Sequence, residues 1–205
     1  MPDGGYDDGY EACPCFWGRA PSSLVAALAD RVNVSGMRIL DVGCGEGKNA
    51  AYLAGLGATV RAFDVSPLAI RNARIAWGEL KNVTWEVADL RTLPLEAIPF
   101  DVIVAYGVFH CLSAAEEICS AARRLQQATI AGGYNIVCAF NSRHQDFRHA
   151  HPRLRPTLLR HEDYQLIYSD WDLSTASDSD LYESHPDRNI PHVHTVTRLL
   201  AQKRG

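Results

Sequence analysis

Histidine is missing from the first half of this 205-residue chain. The first one is His110, and all eight lie between that residue and the end of the chain. Because histidine is the side chain that titrates closest to neutral pH, a segment without it lacks the usual proton-transfer group. The distribution predicts that residues 1–109 bind a ligand through other groups, and that any general base lies in the second half.

An excess of positive charge is also missing. The chain has 20 basic and 24 acidic residues and a net charge of −4, so we expect no nucleic-acid partner. No apolar run reaches the ~20 residues that a membrane span needs, and the acidic start Met1–Gly5 does not resemble a secretory signal. We therefore expect no membrane partner and a cytoplasmic location, where the six cysteines would be reduced thiols.

Length and composition are those of one globular domain. Hydrophobic residues make up 47% and charged residues 21% of the chain, which supplies enough apolar material for a core. Because no linker or internal repeat divides the sequence, we predict a single domain over residues 1–205. The chain starts with a stretch rich in Gly, Asp and Tyr, and we expect residues 1–20 to form a mobile N-terminal segment or lid.

Strand patterns alternate with helix patterns through most of the chain, which is typical of a parallel sheet covered by helices. The last two strands have no helix pattern between them, so an antiparallel hairpin should close the sheet. The seven predicted strands are 37–42, 59–64, 83–87, 100–105, 134–140, 164–173 and 193–201.

A glycine-rich turn, Gly43-Cys44-Gly45-Glu46-Gly47, follows the first strand. Glycine lets backbone approach a ligand closely, and the next helix offers free N–H groups. Proteins that bind hydride-transfer cofactors carry the motif G-x-G-x-x-G, whose last position is glycine. In this chain that position is Lys48. Asp64 and Asp89 end the next two strands, where they can accept from ribose hydroxyls and from an adenine amino group. An ordinary strand–helix turn, with Asp64 as a helix cap, is the alternative.

Four segments together resemble the motif series of class I S-adenosylmethionine (SAM)-dependent methyltransferases: Ile39–Gly47, Asp64–Pro67, Ala88–Leu90 and Phe100–Ile103. Phe16–Ser23 and Leu199–Lys203 look like the small tellurite-resistance and thiopurine-type members. The resemblance implies an α/β fold with a Rossmann-like seven-stranded, mostly parallel sheet, helices on both faces and a C-terminal antiparallel hairpin. It also implies methyl transfer from SAM to a sulfur, oxygen, nitrogen or metalloid atom of a small molecule.

The same resemblance implies which residues hold the cofactor. Asp64 would bind the ribose while Val65 packs on the adenine, and Asp89 and Leu90 would meet the adenine edge. Tyr106 would lie near the methyl donor. The methionine part of SAM would lie along Gly43, Cys44, Gly45 and Gly47.

Aromatic residues before the glycine turn are candidates for a lid. Trp17 would cover the sulfonium, where an aromatic face contributes about 0.5–2 kcal/mol of cation–π energy, and Phe16 would face the substrate. Arg19 can pair with the methionine carboxylate. Core packing of an N-terminal helix is the alternative for Phe16 and Trp17.

A hydroxyl acceptor needs a general base, whereas a thiolate or metalloid oxyanion needs little further help. His110 follows the fourth strand at the cofactor edge and is the first catalytic candidate, beside Tyr106. His144, after the fifth strand, and His185, between the last two strands, are further candidates. The alternatives are a structural role for His110, bonded to backbone, and a solvated loop for His185.

Residues 143–161 form a basic patch in an acidic protein, with five arginines and four histidines against one acid. Arg143 here, and Arg188 further on, are candidates for binding an anionic acceptor. A solvated helix face is the alternative for the patch.

Three close pairs of potential metal ligands occur, but none has the spacing of a zinc motif, so we assign no metal ligand. A metal-assisted reaction of SAM remains one alternative function, and a non-catalytic SAM-binding subunit is another. We expect a monomer or a homodimer. The pairs are Cys13 with Cys15, His149 with His151, and His192 with His194.

Overall fold

The computed structural model describes residues 5–95, 99–147, 154–186 and 189–205. Helices α1 to α6 span Asp7–Ala12, Ser23–Ala29, Lys48–Gly55, Pro67–Trp77, Ala115–Gln127 and His161–Ile167. Strands β1 to β7 span Arg38–Val42, Thr59–Asp64, Val83–Val87, Phe100–Tyr106, Thr129–Gln145, Asp172–Glu183 and His192–Gln202. A 3-10 turn, Phe109–Cys111, follows β4. Within these ranges, no helix has the length and apolar character needed to cross a bilayer.

The seven strands form one sheet in the order β3-β2-β1-β4-β5-β7-β6. The pairs among β1 to β5 are all parallel. β7 runs antiparallel to both β5 and β6, so the last two strands form the predicted hairpin at one edge. The expected fold class is therefore confirmed.

Helices cover both faces of the sheet because successive residues of a buried strand point to opposite sides. In β1, Ile39 packs into the core that contains α2 and α3. Its neighbours Leu40 and Val42 pack into the core that contains α5 and Tyr164 of α6. Since both faces of the sheet are covered, the strand ends are where a ligand can approach.

The predicted strand 164–173 is wrong. Its first residues belong to α6. Tyr164 of α6 and Tyr168, which directly follows the helix, lie four residues apart and are both fully buried, as expected for residues on one side of a helix. The strand begins only at Asp172. The sequence pattern does not reveal β6 because this edge strand is rich in Ser, Thr and Asp and pairs with β7 alone.

The N-terminal segment contains a helix that its Gly- and Asp-rich composition does not predict. α1 buries Tyr10 and packs against α4. The Ser66 hydroxyl donates to the Asp7 carboxylate at 2.5 Å, and the Asn72 amide donates to the Tyr10 carbonyl at 2.9 Å. These contacts hold the segment close to the carboxyl ends of the central strands.

We expect Ser66→Ala to lower the free energy of unfolding by about 1–2 kcal/mol. Ser66 caps α4 by accepting from the Ala69 N–H at 3.0 Å, and its hydroxyl also binds Asp7. Urea unfolding followed by circular dichroism measures the change. Ser142→Ala, at an exposed position, is the control and should stay within about 0.5 kcal/mol of the wild type. Equal stability of both variants would contradict the capping role.

Candidate active site

A cavity of about 410 Å³ opens at the carboxyl ends of the parallel strands. It lies beside β1 and β4, where the strand order changes direction, the position at which open α/β sheets bind ligands. The loops after β1 to β4 contribute to one side of it, and residues of β5, β6 and β7 to the other. The first and second halves of the chain therefore meet at this site.

The glycine turn forms one wall of the cavity. Gly43, Gly45 and Gly47 have φ angles of 62°, 54° and 82°, a left-handed conformation that other residues rarely adopt. A Cβ atom on Gly43 would lie 2.6 Å from Cγ2 of Val108, and one on Gly47 would overlap the Trp85 ring. The turn thus needs glycine for conformation and for packing. Its backbone faces the cavity, and Cys44 lines the cavity with it.

Asp64, at the end of β2, lies beside the turn and is 8% exposed. Its carboxylate accepts from the Gly45 N–H at 2.8 Å and from the Ser66 N–H at 2.9 Å. Burial raises the pKa of Asp64, while these two donors oppose the shift. The cap of α4 is Ser66 rather than Asp64, so Asp64 instead joins the glycine turn to the start of α4. Its carboxylate also lines the cavity, where further lone pairs can accept from a ligand.

Three residues predicted to contact adenine, Val65, Asp89 and Leu90, also line the cavity. The Asp89 carboxylate forms an ion pair with Arg91, with 2.5 Å between Oδ2 and Nη2. The Arg91 guanidinium lowers the pKa of Asp89. Arg91 lines the cavity too. Asp89 is therefore ionised and paired with Arg91 where it lines the cavity.

Three aromatic side chains from the N-terminal segment, Tyr6, Tyr10 and Trp17, line the cavity next to the glycine turn, and we call them the aromatic lid. The Trp17 indole donates to the Tyr10 hydroxyl at 3.4 Å, and its ring lies edge-on to Tyr6 at 5.4 Å. The Lys48 ammonium donates to the Trp17 carbonyl at 3.0 Å. The lid is thereby fixed to the start of α3.

Glu46 of the glycine turn anchors the aromatic lid from the other side. Its buried carboxylate accepts from the backbone N–H groups of Cys15 at 3.0 Å and Phe16 at 2.5 Å, and from the Asn72 amide at 2.9 Å. Sequence analysis missed this residue and both tyrosines. The four-residue spacing of Tyr6 and Tyr10, typical of one helix face, was the available signal.

The structure contradicts two predictions for the N-terminal segment. Phe16 is 6% exposed and packs with Tyr10 and Ala69, away from the cavity surface, so the core alternative applies. Arg19 places its guanidinium 4.0 Å from the Trp77 ring centroid and donates to a backbone carbonyl of α4. It does not line the cavity, so the structure does not support pairing of Arg19 with a methionine carboxylate.

His110 is buried in the cavity wall, and both of its ring nitrogens are engaged. The Phe140 N–H donates to Nδ1 at 3.3 Å, and the Tyr6 hydroxyl lies 3.0 Å from Nε2. Because Nδ1 accepts, the proton of the neutral ring belongs on Nε2 and is donated to Tyr6. Burial lowers the pKa of His110 to about 3. These contacts and the lowered pKa therefore fit a structural role for His110, bonded to backbone, better than a role as general base.

His144 and Arg143 lie on an exposed part of β5 beyond a register shift, away from the cavity. The Arg143 guanidinium binds the carboxylates of Asp178 at 3.1 Å and Asp180 at 2.6 Å, both on β6. The structure therefore does not bring His144, predicted to be catalytic, or Arg143, predicted to bind the substrate, to the cavity. Arg188 lies outside the described residues.

His185 is buried rather than part of a solvated loop. Its ring centroid lies 5.0 Å from those of Phe16 and of Trp17, behind the aromatic lid. It does not line the cavity itself, so direct catalysis by His185 is not supported. Its neighbour on β6, Glu183, does line the cavity.

Tyr106 lines the cavity at the end of β4, where burial raises its pKa. Leu181 and Glu183 of β6 and Val196 and Arg198 of β7 form the wall beyond it. Sequence analysis missed these four residues because their placement depends on the hairpin. The alternation along β7 was the signal, since residues two apart share one face of a strand.

Known proteins resemble this chain in sequence. A family model described as a methyltransferase domain matches residues 39–133. Demethylmenaquinone methyltransferase of Tropheryma whipplei is 32% identical, over 61% of this chain and 48% of its own length. The 2-heptyl-1-hydroxyquinolin-4(1H)-one methyltransferase of Mycobacteroides abscessus is 29% identical, over 79% of this chain and 70% of its own length.

A third relative is TehB of Haemophilus influenzae, a probable SAM-dependent methyltransferase, 32% identical over 52% of this chain and 37% of its own length. The crystal structure of TehB superposes with a TM-score of 0.75 at 20% identity, covering 100% of this chain and 68% of that one. Residues 39–133 thus match a methyltransferase domain, and the chain shares the fold of TehB. The chain spans about half the length of the Tropheryma relative and 37% of the length of TehB.

We expect the stability of the protein to depend on Asp41, the buried acid of β1. Burial raises the pKa of Asp41 from 3.8 to about 7. Between these values the unfolded chain has lost a proton that the folded chain keeps, so the free energy of unfolding falls as pH rises from about 4 to 7. The Asp41→Asn variant lacks this pH dependence. Its free energy of unfolding minus that of the wild type should therefore rise by about 2–4 kcal/mol between about pH 4 and pH 7.

Urea unfolding of the ligand-free protein at several pH values measures this difference. Asp30→Asn is the control, because Asp30 is exposed and its effect should not vary with pH in this way. A constant difference between Asp41→Asn and the wild type from pH 4 to 8 would contradict the burial of an uncharged Asp41.

Proposed function

We propose that this protein transfers a methyl group from SAM to a sulfur, oxygen, nitrogen or metalloid atom of a small-molecule acceptor. The observation that carries the proposal is the glycine turn. Its left-handed backbone faces a cavity of small-molecule size, and the aromatic lid covers it. Such a turn lets a ligand lie directly against backbone N–H groups.

We infer that the methionine part of SAM would lie along the glycine turn and that its ribose hydroxyls would donate to Asp64. Its adenine would contact Val65, Asp89 and Leu90. The sulfonium then faces Tyr10 and the rest of the aromatic lid, where each close aromatic face contributes about 0.5–2 kcal/mol.

Methyl transfer from a sulfonium needs alignment and exclusion of water more than acid–base chemistry, because the leaving group is already activated. The aromatic lid supplies the exclusion. Since both ring nitrogens of His110 are engaged, that residue does not take a proton from the acceptor. This favours acceptors that ionise readily, such as thiols, acidic hydroxyls and metalloid oxyanions.

The acceptor side of the cavity is lined by apolar side chains and two charged groups. The apolar residues are Phe140, Leu181 and Val196, and the charged groups are the Arg198 guanidinium and the Glu183 carboxylate. We infer that the acceptor is largely apolar and carries negative charge when it reacts. The relative named for a heptyl hydroxyquinolone, matched over 70% of its length, supports an acceptor of this kind.

Titration calorimetry of the purified protein with SAM tests the cofactor. Asp64→Asn should weaken SAM binding about tenfold or more, equivalent to about 1.4 kcal/mol, through loss of a charged acceptor for the ribose. Asp30→Asn should bind as the wild type does, and thermal melts show whether Asp64→Asn is folded. Absence of SAM binding by the wild type would overturn the proposal.

Release of S-adenosylhomocysteine, measured against panels of thiols, acidic hydroxyl compounds and amines, tests the transfer itself. We expect turnover with at least one anionic, apolar acceptor. SAM binding without turnover on any panel would contradict methyl transfer and favour a non-catalytic SAM-binding subunit.

We expect His110→Gln to keep kcat within about tenfold of the wild type, because loss of a true general base costs about 10²–10⁴-fold. The pH profile of kcat should keep its shape. Tyr6→Phe is the matched control, since it removes the hydroxyl that His110 contacts and leaves the ring in place. A loss of 10²-fold or more in kcat for His110→Gln alone would restore His110 as the base.

A further inference from the structure

The β6–β7 hairpin brings four potential metal ligands to one corner of the fold. Glu183 and His192 lie opposite each other in the register of the two strands. His194 lies two residues further along β7, on the same face as His192, and His185 follows Glu183 by two residues. The three histidines are buried, at 7% exposure or less, and the Glu183 side chain is 21% exposed.

The ligand atoms converge on one carboxylate oxygen. Oε1 of Glu183 lies 3.6 Å from Nε2 of His192, 3.8 Å from Nε2 of His185 and 4.0 Å from Nε2 of His194. Two ligands of a tetrahedral ion with bonds of about 2.0–2.2 Å lie roughly 3.4 Å apart. The ligand atoms of Glu183, His185 and His192 lie within 4.8 Å of one another, so these side chains must move closer together to bind one ion.

The other ring nitrogens hold the β7 histidines in a ligating orientation. Nδ1 of His192 lies 2.8 Å from the Ile190 carbonyl, and Nδ1 of His194 lies 2.8 Å from Oε1 of Gln145. The Gln145 amide nitrogen donates to two backbone carbonyls, at 2.7 Å each, so its oxygen is the acceptor. Both Nδ1 atoms therefore carry the proton, and the lone pair of each neutral ring is on Nε2.

We propose that Glu183, His185 and His192, with His194 as a fourth ligand, bind one divalent first-row transition metal ion. Neutral imidazoles with one carboxylate are ligands for ions such as Zn²⁺, Fe²⁺ or Mn²⁺, whereas Ca²⁺ and Mg²⁺ prefer oxygen ligands alone. A cation among these atoms also offsets the repulsion between a carboxylate oxygen and imidazole lone pairs that face it.

The site adjoins both the cavity and the aromatic lid. Glu183 lines the acceptor side of the cavity, and the His185 ring contacts Trp17. A bound ion therefore holds His185 against the lid and presents its charge near an anionic acceptor. The inference rests on the hairpin geometry and holds whether or not SAM is the methyl donor.

Titration of the chelator-treated full-length protein with Co²⁺ tests the proposal. We expect one equivalent to bind with the visible absorption bands of a four- or five-coordinate site, and one equivalent of Zn²⁺ to displace it. Bound Co²⁺ should also quench tryptophan fluorescence, because Trp17 lies 5.0 Å from His185, and Trp17→Phe should remove most of that quenching. Less than one equivalent of bound Co²⁺, or quenching unchanged in Trp17→Phe, would overturn the proposal.

Variants locate the ion. Glu183→Gln and His192→Gln should each weaken Co²⁺ binding about tenfold or more, since metal affinity depends on each ligand. His144→Gln, at an exposed histidine of β5, is the matched control and should bind as the wild type does. Circular dichroism shows which variants are folded. Equal Co²⁺ affinity in all three folded variants, or loss of binding in His144→Gln, would place the ion elsewhere and overturn the assignment.

Discussion

The buried carboxylate of Glu46 is the contact on which the ligand site depends. It belongs to the glycine turn that forms one wall of the cavity, and it accepts from the backbone N–H groups of Cys15 and Phe16, next to Trp17 of the aromatic lid. A buried carboxylate is costly unless it is hydrogen-bonded, so the lid backbone and the turn stabilise each other. One side chain thereby fixes two walls of the cavity relative to one another.

The two halves of the chain contribute different chemistry to the cavity. The first half supplies glycines, carboxylates and aromatic rings, which bind a cofactor without exchanging protons. The second half supplies the histidines, but their contacts in the structure do not fit the role of a general base. His110 is a neutral ring held by Tyr6 and by backbone, and the histidines of the hairpin converge on Glu183.

Local patterns made much of the fold and of the cofactor side of the site predictable. β1, the glycine turn and α3 follow from a short apolar run, three glycines and a helix pattern, and Asp64 follows from the end of the next strand. β6 was not predictable in this way, because a polar edge strand has little apolar periodicity of its own. Arg19 was misplaced because the Trp77 ring on which it stacks lies 58 residues along the chain.

The sequence by itself determined the fold class and the glycine turn with its acids, because each depends on residues that are neighbours along the chain or follow a strand period. Only the tertiary structure decided which side chains face the cavity. The lid tyrosines, Arg198 and the cluster around Glu183 come together through the packing of α1 on α4 and the register of the β6–β7 hairpin. Such contacts join residues far apart in sequence, so no local pattern encodes them.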